Sequence, residues 1–423
     1  MNAHEPVPWA RLTAAVRFTG ANAVFRRLVM RGALLELVTF GFYRFWLTTD
    51  MRRYLWSNTE IDRDALEYTG RGKELLLGFL IALAVLVPVF LLYFLIGVAF
   101  ERYKAFASLP LYAFFFLFGQ FAIYRARRYR LTRTIWRGVR FWMTGSGWSY
   151  AWRSLLWGLL LVPTLGFAYP WRTAALERYK LGHTFYGTLP GRFAATGWQL
   201  FKRVWWVWLL GLSPIVVLLG SVIAAAVAKQ QGLGSDSLQL KLIGLLLILG
   251  VFSLVALPFL HAVRKATEWR WWVGGIRFGE VSVTSVLSPA ALIGVYWALI
   301  GMLLLVMLGF GVLAGGIAVV VSLVAGHAAA LSAAAAPSHM GAFATVLART
   351  PIWAMVAYGV WYLAMVLAFG VVARIYTLQR VWRRVIDNCT LLHPEAAANV
   401  TGAGEAASAL GEGLADGLDF AGF

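Results

Sequence analysis

The chain has 423 residues, of which 60% are apolar and 13% charged, with a net charge of +19 and one cysteine. Soluble domains run at roughly 45–50% apolar and about 25% charged, so this composition excludes an ordinary soluble protein. The lone Cys389 excludes a disulfide framework and any multi-cysteine metal site, and the six scattered histidines include no pair at helical i,i+4 spacing.

In chain order, residues 32–49 form a short apolar stretch that contains Glu36 and Arg44 and ends in a motif. The motif is Thr39-Phe40-Gly41-Phe42, then Trp46, Thr48, Arg53-Tyr54 and Thr59. Long apolar runs follow at 75–100 and 109–124, each predicting a membrane-spanning helix. Residues 154–171 then repeat the short stretch, with Pro163 and Pro170, and end in the same motif at the same internal gaps: Thr164-Leu165-Gly166-Phe167, Trp171, Thr173, Arg178-Tyr179 and Thr184. Further spanning runs lie at 204–228, 240–263, 290–326 and 352–372. This repetition predicts an internal duplication. The units are 1–138, 139–263 and a divergent third at 264–393, followed by an acidic Ala/Gly tail at 394–423 that is expected to be disordered. Whether 290–326 is one helix or two stays open.

Between the apolar runs lie basic segments, each ending in an aromatic residue closely followed by glycine, such as Phe18-Thr19-Gly20, Tyr68-Thr69-Gly70 and Phe278-Gly279. Upstream, Arg-Tyr-x4-Thr occurs at Arg53, Arg128 and Arg178. The intervening Trp-, Val- and Thr-rich runs at 134–141 and 271–278 read as short strands with a glycine turn. The expected fold class is thus an all-α polytopic membrane protein: a helical bundle of six to eight transmembrane segments carrying short cytoplasmic β-hairpin-like units.

Charge sets the expected topology. The connections near 101–108, 229–239 and 327–350 are poor in Lys and Arg and belong outside, with both termini and the basic segments in the cytoplasm. Segments 32–49 and 154–171 each join two basic regions. Either they enter and leave on the cytoplasmic side, bending at Gly41 and Gly166, or they are ordinary short spans that break the charge rule locally. The net charge favours a membrane surface rich in anionic headgroups over nucleic acid, for which no binding motif is present.

The residues at 18–20, 39–46 (Thr-x-Gly-Phe-Tyr-x-x-Trp), 52–54 (Arg-Arg-Tyr), 67–70 (Glu-Tyr-Thr-Gly) and 133–141 (Arg-Thr-x-Trp-Arg-Gly-x-Arg-Phe) resemble the YjgN family of bacterial inner-membrane proteins, a domain of unknown function. The resemblance covers roughly 15–390 and implies an integral inner-membrane protein. It implies no reaction, no catalytic residues and no cofactor.

No phosphate loop, no GxSxG and no HExxH occurs. Ionisable groups at membrane depth are the remaining candidates, because charge in lipid is expensive. Glu36 and Arg44 could meet across a bend at Gly41; alternatively Arg44 snorkels and Glu36 pairs with Arg31 or Arg27, which the second copy favours by carrying Leu161 and Tyr169 at the matching places. The motif residues Gly41, Gly166, Trp46, Trp171, Arg53, Tyr54, Arg178 and Tyr179 complete the candidate set. Tryptophans cluster at run ends (142, 148, 152, 157, 198, 205, 206, 208, 269, 271, 272), as an interfacial belt or as a stacking surface for a headgroup. Duplication and broken segments favour a transporter or channel. The charge and the tryptophans fit a non-catalytic lipid-binding or membrane-organising protein instead, and no polar constellation argues for an enzyme.

Overall fold

The computed structural model describes residues 13–99, 104–231, 238–332 and 352–404. They divide into two compact units, Met1–Ala21 with Phe45–Gly294 and Val381–Phe423, and Asn22–Arg44 with Val295–Arg380.

All strands among the described residues belong to the first unit. They are β1 (Thr13–Phe18), β2 (Thr59–Ile61), β3 (Asp64–Ala65), β4 (Glu67–Tyr68), β5 (Thr134–Trp136), β6 (Val139–Met143), β7 (Thr184–Tyr186), β8 (Leu189–Phe193), β9 (Ile276–Phe278), β10 (Val281–Ser285) and β11 (Cys389–Leu392). β1 shows the alternation a half-buried strand requires: Ala14, Val16 and Phe18 are buried while Arg17 points out. Such pieces are too short to stand alone, since an isolated hairpin is marginal in water and leaves two unpaired edges. They therefore pair into one antiparallel sheet of 11 strands in the order β3-β2-β1-β11-β10-β9-β8-β7-β6-β5-β4. This corrects the all-α class: the hairpin-like units are not separate but build a single sheet from residues 13 to 392.

The two end strands, β3 and β4, are separated only by Leu66, so the sheet curls until it is nearly a closed ring. An odd number of strictly alternating antiparallel strands cannot close. Here β3, Leu66 and β4 act as one bent strand that pairs with β2 on one side and β5 on the other, which restores an even count. Arg137, in the β5–β6 turn, holds the bend through ion pairs to Asp62 at 2.8 Å and Asp64 at 2.5 Å.

Around the ring, neighbours are joined alternately by tight turns and helical excursions. The turns are two residues long, with positive φ at Asp62 and Arg63 and at Arg137 and Gly138, the backbone that tight hairpins need. The excursions are α1 (Asn22–Val38) with α2 (Arg44–Ser57), α3 (Gly72–Ala99) with α4 (Lys104–Thr132), and α5 (Gly147–Leu161) with α6 (Tyr169–Gly182). They continue with α7 (Gly197–Gln230), α8 (Leu238–Ser253) and α9 (Leu257–Gly275), then α10 (Pro289–Ser332), α11 (Ile352–Ala373) and α12 (Val381–Ile386). Each excursion links two antiparallel neighbours, so it starts and ends at the same edge of the sheet.

Among the described residues, six helices are long and apolar enough to cross a membrane, at Gly72–Ala99, Ser108–Thr132, Gly197–Gln230, Leu238–Gly275, Pro289–Val321 and Ile352–Ile386. They coincide with the six apolar runs of the sequence. The 290–326 run lies within one continuous helix, α10. Only 0% to 22% of each apolar window is buried within the chain, so these faces are left for an apolar surrounding rather than for a water-excluded bundle core. One buried cluster sits where helix ends meet strands, at Ala174, Leu181, Phe193, Leu200 and Trp271, and another joins α3 to α4 at Ala82, Phe118, Ala122 and Ala126.

Two local readings change. The run at 271–278 is not a hairpin: Trp271 to Gly275 end α9, and only Ile276–Phe278 is strand. A side chain at Gly275 would collide with the Phe193 ring, so that glycine serves close packing rather than a turn. Residues 394–397, placed in the tail by composition, form a 3-10 turn with Pro394 and Ala397 buried. Residues 405–423 lie outside the described residues.

Candidate functional site

The two motif copies adopt the same local structure. Each is a helix, a tight turn and a second helix. Gly41 has φ +88° and donates to the Glu36 carbonyl at 2.7 Å; Gly166 has φ +84° and donates to the Leu161 carbonyl at 2.8 Å. The preceding residues, Phe40 and Leu165, are also left-handed, at +51° and +49°. Thr39 and Thr164 bond back to the carbonyls of Leu35 and Leu160. The threonine thus closes the first helix and the glycine supplies the left-handed turn that ends it. Neither stretch is a continuous spanning helix.

The glycines differ in surroundings, and this separates two substitutions. A side chain at Gly41 meets nothing within 4 Å, whereas one at Gly166 meets Trp208 at 3.0 Å. Gly41→Val is expected to cost about 1 kcal/mol from the left-handed backbone alone. Gly166→Val should cost more, read as a lower melting temperature in detergent. Equal melting of both variants and wild type would show that neither turn requires glycine.

The Arg-Tyr-x4-Thr element ends the first three of the five helical excursions and ties their ends together. Tyr54 donates to the Ala21 carbonyl at 2.7 Å, and Tyr179 donates to the Ser146 carbonyl at 3.0 Å. Ala21 and Ser146 immediately precede α1 and α5, so the tyrosine near the end of each second helix grips the start of the first. Tyr129 grips Glu74, near the start of α3, at 2.6 Å. The threonines Thr59, Thr134 and Thr184 bond the carbonyls four residues back and close the last helical turn. Arg53 donates to the Gly70 carbonyl and pairs with Asp50. Arg178 is exposed. Trp46 packs over Gly72, and Trp171 lies against Trp198 and Phe201. These motif residues therefore form clamps, and the structure does not gather them at one point.

Besides the Arg137 pairs with Asp62 and Asp64, three carboxylates of the first unit gather ionic clusters among the described residues. Glu74 receives Arg133 at 3.0 and 3.1 Å as well as Tyr129. Glu268 receives Tyr169 at 2.5 Å, Arg264 at 3.1 Å and Lys265 at 3.4 Å. Burial and Glu268 push the Tyr169 phenol up to about 12. Glu177 lies between Lys180 and Arg127, the latter at 3.7 Å. Burial raises the Glu177 carboxyl, but the two cations outweigh it and leave it below its ordinary value. Burial lowers Lys180 in turn. The Tyr150 phenol beside them rises to about 12 through burial and the Glu177 charge.

In the second unit, the buried Glu36 carboxylate meets Arg374 in a two-pronged pair at 2.9 and 3.0 Å. The partners considered from sequence, Arg44, Arg31 and Arg27, are not the ones that hold it. Arg374 opens a π-helical turn, Arg374–Arg380, in which Arg380 stacks over Tyr376 at 3.9 Å. Sequence reasoning missed Arg374, although its place at the end of the 352–372 run marked it as a cation at membrane depth.

A recess of about 620 Å³ opens where α7, α9 and β10 meet, lined by Gln199, Arg203, Arg270, Trp271, Thr284 and Ser285 among others. Its volume falls in the range of ligand sites. Its lining carries two guanidinium groups and no carboxylate. Sequence reading passed over it because its residues lie in three separate segments. Among the described residues no group of histidine, cysteine and carboxylate side chains could hold a metal ion.

No curated protein and no solved structure matches the chain. A bacterial family model does match, over nearly the whole length. The six apolar helices fit a multi-pass membrane protein, and the chain belongs to the family described as bacterial protein of unknown function (DUF898), whose model matches residues 13–417.

Proposed function

We propose that the protein resides in the bacterial inner membrane and binds anionic lipid headgroups at a cation-rich cytoplasmic face built on the ring of strands. One observation carries this reading: every helical excursion begins and ends at the same edge of the sheet. An even number of crossings per excursion follows, which supports placing the basic segments on one side, as the charge rule prefers. It also supports the re-entrant form of 32–49 and 154–171. The likeness to the YjgN family supports the inner membrane.

The topology has a direct test. Cysteines placed at 63, 188 and 280, in the turns of the sheet, should resist an impermeant thiol reagent in intact cells, and cysteines at 104 and 238 should react. Labelling at 63 or 188 would overturn the arrangement.

A transporter or channel is the second reading. It is favoured by the irregular turns in the apolar helices, the 3-10 turn Leu254–Ala256 and the π-helical turn at Arg374–Arg380. Comparing lipids and metabolites between cells with and without the gene separates the two. A shift in anionic lipids supports headgroup binding, and a changed intracellular solute supports transport.

A further inference from the structure

We propose that the recess between α7, α9 and β10 is a phosphate site, built from Arg203 and Arg270, that takes the phosphate of an anionic lipid headgroup. This deepens the headgroup-binding reading and rests on it.

The charges in the recess are unopposed. Neither Arg203 nor Arg270 has an ion-pair partner among the described residues, and the Nε of Arg270 is buried with no hydrogen-bond partner there. Glu268, two residues from Arg270, is already occupied by Tyr169, Arg264 and Lys265. The buried Nε of Arg270 is left without an acceptor and the exposed Arg203 guanidinium lines the same open volume, so the recess offers an anion two cationic donor groups and no competing carboxylate. The other lining groups suit a phosphate. Gln199 uses its carbonyl oxygen to accept from the Thr196 backbone, which leaves its amide NH₂ as donor. Trp271 commits its indole N–H to the Thr196 carbonyl at 2.9 Å and presents the recess with an apolar ring.

Depth points to a lipid. The recess sits at the sheet-side ends of two candidate spans, Gly197–Gln230 and Leu238–Gly275. Trp198, Trp205 and Trp206 are exposed along the first turns of α7, where an interfacial aromatic belt lies at headgroup level. A phosphate held by Arg203 and Arg270 would leave its acyl chains beside the apolar flank of α7.

The test uses the full-length protein, delipidated in detergent, with phosphatidylglycerol, phosphatidylcholine, glycerol 3-phosphate and inorganic phosphate as probes. Binding is read by native mass spectrometry and by thermal stabilisation. Wild type should prefer phosphatidylglycerol to phosphatidylcholine. Arg203→Gln/Arg270→Gln should weaken phosphatidylglycerol binding at least about tenfold, as loss of charge-assisted hydrogen bonds implies. Thr284→Glu, on the exposed lip of the recess, should weaken it too by repulsion, and covers the case in which the double variant fails to fold. Stabilisation of wild type by both soluble phosphates and not by phosphatidylglycerol, lost in the variants, would keep the phosphate site and overturn the lipid source. A wild-type preference that survives in folded variants overturns the recess while leaving headgroup binding in place. No preference in wild type, with no response to either soluble phosphate, overturns both.

Discussion

Replacing Arg374 by Met is expected to destabilise the protein by about 3–5 kcal/mol, because it strands a buried carboxylate. Glu36 is 4% exposed, and Arg374 reaches it with two parallel hydrogen bonds. An unpaired carboxylate there loses both its partner and its access to water. The measurement is thermal melting of the purified protein in detergent, for Arg374→Met, Glu36→Gln and the double variant. The double variant should recover much of the loss, since removing both charges removes the uncompensated one. A buried pair is poorly screened, so raised salt should leave the wild-type melting temperature nearly unchanged. Wild-type melting for Arg374→Met would mean that the pair does not hold the second unit together.

The second large effect is expected at Glu177. This carboxylate separates Lys180 from Arg127, and all three side chains are largely buried. Glu177→Gln leaves two cations in a poorly solvated site, which should again cost about 3–5 kcal/mol. The pH dependence carries a sign. The folded-state value of Glu177 lies below its ordinary 4.5, so its contribution is fully present above that pH and is lost as pH falls through the folded value. The variant should therefore lose stability at neutral pH and show a shallower decline below about pH 4.5. An acid limb identical to wild type would show that Glu177 is not the group responsible. Lys180 acts at the alkaline end. Burial lowers its folded value below 10.5, so the unfolded chain binds more protons in that window and this group makes stability rise with pH there.

Apolar run length and turn chemistry were legible in the sequence by itself, because each is a local property. Six runs long enough to span became six long apolar helices, and Thr-x-Gly-Phe became a left-handed turn at both Gly41 and Gly166. The short strands at 134–141 were likewise readable from Trp136-Arg137-Gly138-Val139, since a two-residue turn with positive φ declares itself in composition. Tertiary structure alone decided what those pieces pair with. β1 meets β11 across almost the whole chain, and no feature of Thr13–Phe18 names Cys389–Leu392 as its neighbour. A two- to six-residue strand carries too little side-chain information to specify a partner, so the choice falls to the helical excursions that bring strand ends together. The same distance hid Arg374 from Glu36, 338 residues apart in sequence, and Arg203 from Arg270. Helical spacing reveals only partners within a turn or two, whereas charges and recesses in a folded chain are completed by residues from distant segments.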